Sequence, residues 1–272
     1  MLIRDHFVHY KNSRLHYAKG GSGGRAMLMF HGFGQSLHVF QDWVAHLEQE
    51  YTLYAFDLYF HGSSTWPARD PLEKADWKKI LEQFFAQEKI DRFELAGFSM
   101  GGKFVLAATE LFPARVDRVI LIAPDGIKTS FWYSLATYPI ATRALFKSMV
   151  LKPNRLYRLI KILRALHVVD RGLLRFAESQ MNTEEKRRRV YYSWVYFRHL
   201  KFDVTRVSAL LNQNNVSLLM ITGRYDKIIT TRNMAAFTKK VMRHKLVELE
   251  AGHNDLVVKA GSQQAIMERS IS

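Results

Sequence analysis

Short apolar runs and amphipathic stretches alternate along most of the chain. Residues 6–10 and 14–19 read as two strands joined by Lys11-Asn12-Ser13, a hairpin-turn composition. A Gly/Ser loop over 20–24 leads into 26–30 (A-M-L-M-F), a fully apolar strand of the kind buried inside a parallel sheet. A helix over 37–49 and a strand over 52–56 follow. Beyond Pro71, the residues Trp77, Ile80, Leu81, Phe84 and Phe85 recur at i, i+3, i+4, i+7 and i+8, which is one face of a helix. Phe93, Leu95 and Ala96 open another strand, and Phe104, Leu106, Ala107, Ala108 and Leu111 have helical spacing. Residues 116–123 form a sixth apolar strand, stopped by Pro124-Asp125-Gly126.

The rhythm changes there. From about 127 to 211 the pattern predicts several helices and no strand. Alternation then resumes with strands over 216–222 and 245–250 and helices over 232–242 and 255–269. The pattern predicts an α/β protein with a mostly parallel eight-stranded sheet and a helical insertion after strand 6. The expected domains are a core over 1–124 and 212–272 and a helical cap over 125–211.

Composition narrows the classes. With 272 residues, 48% hydrophobic and 13% aromatic, the chain can build a sizeable core. It has no cysteine, which removes disulfides and thiolate chemistry. No apolar run is long enough to span a membrane, and the N-terminus lacks a signal-peptide core, so a cytoplasmic location is expected. The net charge of +15 is uneven: residues 125–210 hold 17 Lys/Arg against 6 Asp/Glu. No nucleic-acid-binding motif accompanies it, so nucleic acid is not an expected partner. The charge is either a dispersed solvated surface or a field acting on anionic substrates or anionic lipid. The thirteen aromatics noted in 127–211, from Phe131 and Trp132 through Phe176 to Phe202, are assigned to cap core and pocket roof ahead of a membrane-docking face. Arg187-Arg188-Arg189 is read as a solvated helix turn.

Candidate chemistry sits just past the strands, where open α/β sheets place their sites. Gly97-Phe98-Ser99-Met100-Gly101 lies between a strand and a helix, and a serine on such a turn is pushed outward beside free helix N–H groups. The pentapeptide alone is common by chance; the flanking strand and helix, with Gly102, give it weight. His31-Gly32-Phe33-Gly34 follows the third strand, Gly223-Arg224-Tyr225-Asp226 the seventh and Ala251-Gly252-His253-Asn254 the eighth. Serine, aspartate and histidine, each beyond a strand, match a nucleophile, an orienting acid and a base. Asp125, just past the sixth strand, rivals Asp226 as the acid.

These motifs, with D-L-Y-F-H-G-S-S at 57–64, resemble those of the α/β-hydrolase superfamily, in its branch with a helical cap. The resemblance implies Ser99 as nucleophile, Asp226 as acid, His253 as base, and the backbone N–H groups of Phe33 and Met100 as oxyanion hole. His31 and Asp57 are assigned structural roles, and His61 either shapes its loop or walls the pocket. One departure is Phe60, where the family usually has glycine. No phosphate loop, dinucleotide fingerprint or metal-ligand cluster appears, so neither cofactor nor metal is expected. The expected activity is hydrolysis of a carboxylic ester or thioester by a serine esterase or lipase-like enzyme. The expected substrate is a small molecule with an apolar acyl part. Alternatives are carbon–carbon hydrolysis of a diketone-type substrate and a non-catalytic ligand-binding homologue. Peripheral membrane contact through the basic cap is not favoured, and the oligomeric state is left open.

Overall fold

The apolar runs become strands close to where their composition places them. The computed structural model describes residues 4–67, 70–127, 131–167, 174 and 178–262. Its strands are β1 (Arg4–Tyr10), β2 (Ser13–Gly20), β3 (Arg25–Phe30), β4 (Tyr51–Phe56), β5 (Phe93–Phe98), β6 (Val116–Ile122), β7 (Ser217–Gly223) and β8 (His244–Leu249). They form one sheet in the order β1-β2-β4-β3-β5-β6-β7-β8. β1 pairs antiparallel with β2, and β2 with β4; every other pairing is parallel.

A central parallel strand has no wet face, and β5 and β7 are buried along their whole length. One face is covered by α1 (Gln41–Leu47), entered through a 3-10 turn (Leu37–Phe40), and by α10 (Leu256–Gly261). Trp43 there donates its Nε1–H to the Val257 carbonyl at 3.0 Å. On α2 (Lys74–Glu88) and α3 (Met100–Leu111), Trp77, Phe84 and Phe104 pack edge-on or stacked with Phe30 and Phe56 of the sheet. Such aromatic pairs add about 0.5–1.5 kcal/mol each beyond their buried area. α9 (Thr231–Thr238) lies between β7 and β8 in the chain. The expected last helix ran to 269; residues 263–269 lie outside the described residues.

The helical insertion after β6 contains α4 (Phe131–Thr137), α5 (Ile140–Leu151), α6 (Pro153–Ala165), α7 (Glu184–Tyr196) and α8 (Val204–Gln213) among the described residues. The chain divides into a larger unit of residues 1–67, 73–128 and 200–272 and a smaller one of 68–72 and 129–199. This division is narrower than the expected 125–211. α8 packs on α3 in the larger unit through a face that buries Val207, Ser208 and Leu211. Asp203 caps it by accepting from the Thr205 and Arg206 N–H groups at 2.8 and 3.2 Å.

Within the smaller unit Phe146 of α5 packs against Tyr191 and Trp194 of α7, and Tyr133 of α4 against Trp194. Phe176 and the side chains of Phe131 and Trp132 lie outside the described residues. The arginine run departs from the solvated turn expected of it. Arg188 and Arg189 are i, i+4 partners of Glu184 and Glu185, but Arg187 is 7% exposed. Its guanidinium donates to the carbonyls of Val150 at 3.1 Å and Met181 at 3.3 Å. A buried arginine needs such acceptors, and the C-terminal turn of α5 supplies one.

Candidate active site

Sheet register sets the candidate loops side by side. Phe30 pairs with Gly97, Phe98 with Ile122, Ile122 with Ile221, and Gly223 with Leu249. Phe33, Ser99, Asp226 and His253 each follow one of these paired strand ends within a few residues, so all four emerge along one edge.

Ser99 joins β5 to α3 with φ 49° and ψ −117°. A side-chain-bearing residue adopts such a backbone at a cost of roughly 1–3 kcal/mol, so its surroundings must over-determine it. Its N–H donates to the Ile122 carbonyl at 2.9 Å, and its carbonyl accepts from the N–H groups of Gly102 and Asp125 at 2.9 and 2.8 Å. The turn also needs bare backbone beside it: a Cβ on Gly101 would stand 2.0 Å from the Phe30 carbonyl oxygen.

His253 Nε2 lies 3.0 Å from Ser99 Oγ, and its Nδ1 lies 2.6 Å from Asp226 Oδ2. The Asp226 side chain is fully buried and accepts at Oδ1 from the Ile228 and Ile229 N–H groups at 2.8 and 2.9 Å. An ionised carboxylate only accepts, so Nδ1 carries the proton and the Nε2 lone pair faces the serine hydroxyl. Asp125, the rival acid, is engaged elsewhere: its Oδ1 accepts from the Gly126 N–H at 2.8 Å. Its charge also acts on Lys103, one turn into α3. Burial pushes that ammonium below its ordinary value, Asp125 opposes the shift and Lys201 adds to it.

The Phe33 and Met100 N–H groups have no hydrogen-bond partner among the described residues. Both sit beyond the Phe30–Gly97 pair, Phe33 on the loop after β3 and Met100 opening α3. Two histidines hold that loop. His31 donates its Nδ1–H to the Gly32 carbonyl at 2.7 Å and accepts at Nε2 from the Leu58 N–H at 3.0 Å. His61 accepts from the Gly34 N–H at Nε2 and donates to the Tyr59 carbonyl from Nδ1, both at 3.0 Å. Asp57 braces the same region by accepting from the Leu37 N–H at 2.9 Å and the Ser63 N–H at 3.0 Å.

His16 on β2 completes the brace, with its Nδ1 2.7 Å from Asp57 Oδ2. Burial alone would raise the Asp57 carboxyl; the His16, Leu37 and Ser63 donors outweigh it and bring the value down to about 2. On His16 burial acts downward, but Asp57 and Asp5 raise the imidazole above its ordinary value. Nothing in the pattern of β2 singles His16 out, because a lone histidine among alternating residues has no periodic signal.

Phe60 takes φ 67°, a left-handed conformation at the position where glycine is usual. Gly62, with φ 48°, keeps its glycine: a Cβ there would stand 1.8 Å from Asp57 Oδ2. Among the described residues no group of three or more His, Cys, Asp or Glu is placed to hold a metal ion. No helix among them is long and apolar enough to cross a membrane.

A family model of the alpha/beta hydrolase fold matches residues 25–260. The chain is 30% identical over 124 residues to an uncharacterized protein of Mycobacterium tuberculosis (strain ATCC 25618 / H37Rv), covering 45% of this chain and 36% of that one. It is also 30% identical over 124 residues to a pimeloyl-[acyl-carrier protein] methyl ester esterase of Legionella pneumophila (strain Lens), covering 45% and 48%. The chain thus spans about a third to a half of the length of these relatives. Among solved structures, a thermophilic esterase from Thermogutta terrifontis superposes with a TM-score of 0.70 at 15% identity, over 97% of each chain.

Proposed function

The chain belongs to the alpha/beta hydrolase fold family, and on that premise we propose that it is a serine hydrolase of carboxylic esters or thioesters. The observation that carries the reading is the hydrogen-bonded series from Ser99 Oγ through His253 to Asp226, at 3.0 and 2.6 Å. Esterase names among the relatives and structural neighbours point the same way. His253 Nε2 takes the Ser99 proton as Oγ attacks the acyl carbon, and Asp226 stabilises the imidazolium. Phe33 and Met100 N–H groups receive the oxyanion, each worth about 10²–10³ in kcat. His253 then protonates the leaving group, and a water activated by the same nitrogen releases the acid.

The test is a panel of p-nitrophenyl esters from acetate to palmitate, run beside an aryl diketo-acid. Ester turnover that disappears in Ser99→Ala is expected. Turnover of the diketo-acid alone would move the reading to carbon–carbon hydrolysis, and wild-type turnover of neither would point to a ligand-binding homologue.

A further inference from the structure

The smaller unit shows water an apolar face that its own core does not use. Eight of the thirteen exposed large hydrophobics among the described residues fall between Leu135 and Leu166. On α5, Ile140, Ala144, Lys147 and Leu151 are all exposed and recur at i, i+4, i+7 and i+11, one stripe along the helix. Ile140 is 77% exposed and Leu151 58%. α6 packs beside α5 and buries Leu156 and Ile160, yet it leaves Tyr157 and Ile162 outside, with Leu166 following.

Charge accompanies this face. Residues 140–167 contain seven Lys/Arg and no Asp or Glu. Arg164 pairs with Glu178, but Lys147, Lys152, Arg155, Arg158 and Lys161 form no ion pair among the described residues. Solvated helices usually interleave both signs of charge. A single sign interleaved with exposed aliphatic groups suits a surface that offers phosphates above hydrocarbon.

We propose that the α5–α6 pair docks the protein onto anionic lipid bilayers, with Ile140 and Leu151 entering the headgroup boundary and the five cations meeting lipid phosphates. This goes beyond the hydrolase reading and does not depend on it.

Vesicle co-sedimentation tests it, comparing phosphatidylcholine alone with mixtures holding about 30% phosphatidylglycerol near 0.15 M salt. The wild type is expected on the anionic vesicles only. At about fivefold per cation, Arg155→Gln/Arg158→Gln/Lys161→Gln loses on the order of a hundredfold in affinity. Ile140→Ser/Leu151→Ser loses roughly tenfold or more, because two exposed aliphatic groups no longer enter the boundary. All five positions are exposed, so melting curves should match the wild type.

The cysteine-free chain permits a second readout. A polarity-sensitive dye on Leu151→Cys should shift to the blue on anionic vesicles, while the same dye on Met242→Cys, exposed in the larger unit, should not. Equal shifts at both sites, or apolar variants that bind as the wild type does, would overturn the proposal. So would apolar variants that turn an oligomer into a monomer while vesicle binding is unchanged, since that marks a face between copies of the chain.

Discussion

The loops at the sheet edge and the helix pair over 140–167 treat polar side chains in opposite ways. At the edge four polar side chains are buried and committed: Asp226 to three donors, Asp57 to three more, and His31 and His61 through both ring nitrogens. In 140–167 most cations are exposed and form no ion pair among the described residues. A buried charge without partners costs several kcal/mol, so partners at the edge are position-specific. A solvated charge needs none, so the helix pair can vary without disturbing its fold. Substitutions should therefore be felt steeply in one region and barely in the other.

The largest effect should come from separating the two aspartates. Asp226→Asn leaves His253 without its anionic partner and favours the wrong tautomer, so kcat for a p-nitrophenyl ester should fall by about 10³–10⁴. Asp125→Asn keeps its turn and should stay within a few-fold of the wild type. The reverse order would break the assignment of His253 to Asp226.

Asp57 comes next. Its carboxyl lies at about 2 against an ordinary 3.8, a difference worth about 2 kcal/mol. A lowered folded value stabilises above the unfolded value, and the contribution is lost as pH falls from about 4 to about 2. Asp57→Asn should therefore melt lower at neutral pH, and its gap to the wild type should narrow across that acid window. A gap that stays constant would mean that the donors around Asp57 do not favour its charged form.

Phe60→Gly should have the opposite sign. Glycine relieves the φ of 67°, so a gain of up to about 1 kcal/mol is expected, read as a melting temperature a few degrees higher. A fall would show that the contacts of the Phe60 ring outweigh its backbone strain. The smallest effect belongs to the helix pair: Arg155→Gln/Arg158→Gln/Lys161→Gln should keep the melting temperature within about 2 °C. A larger drop would break the comparison by showing that these cations are structural.

Local signals explain why the sheet was legible in the sequence. A strand of residues 26–30 without a polar group, or an i, i+3, i+4 stripe at Trp77, Ile80 and Leu81, has one economical burial. The Ser99 turn is legible for the same reason, since only small residues fit beside it. Non-local pairings are not written in any short window. Arg187 reads like its two neighbours, yet it is buried because Val150 and Met181 present carbonyls to it. The allegiance of α8 depends on α3, about a hundred residues earlier, and the partnership of His16 with Asp57 on strand pairing. The exposed stripe on α5 was also hidden: apolar residues at helical spacing look alike whether or not a neighbour covers them.

The account rests on Ser99 being an activated nucleophile, and a fluorophosphonate probe followed by intact-mass and peptide analysis tests that most directly. One adduct on the wild type is expected, on Ser99 and on no other serine. It should be absent in Ser99→Ala and slower by orders of magnitude in His253→Ala, because the imidazole 3.0 Å away supplies the activation. A wild-type protein that takes up no probe, or an adduct on Ser99 that forms equally fast without His253, would contradict it.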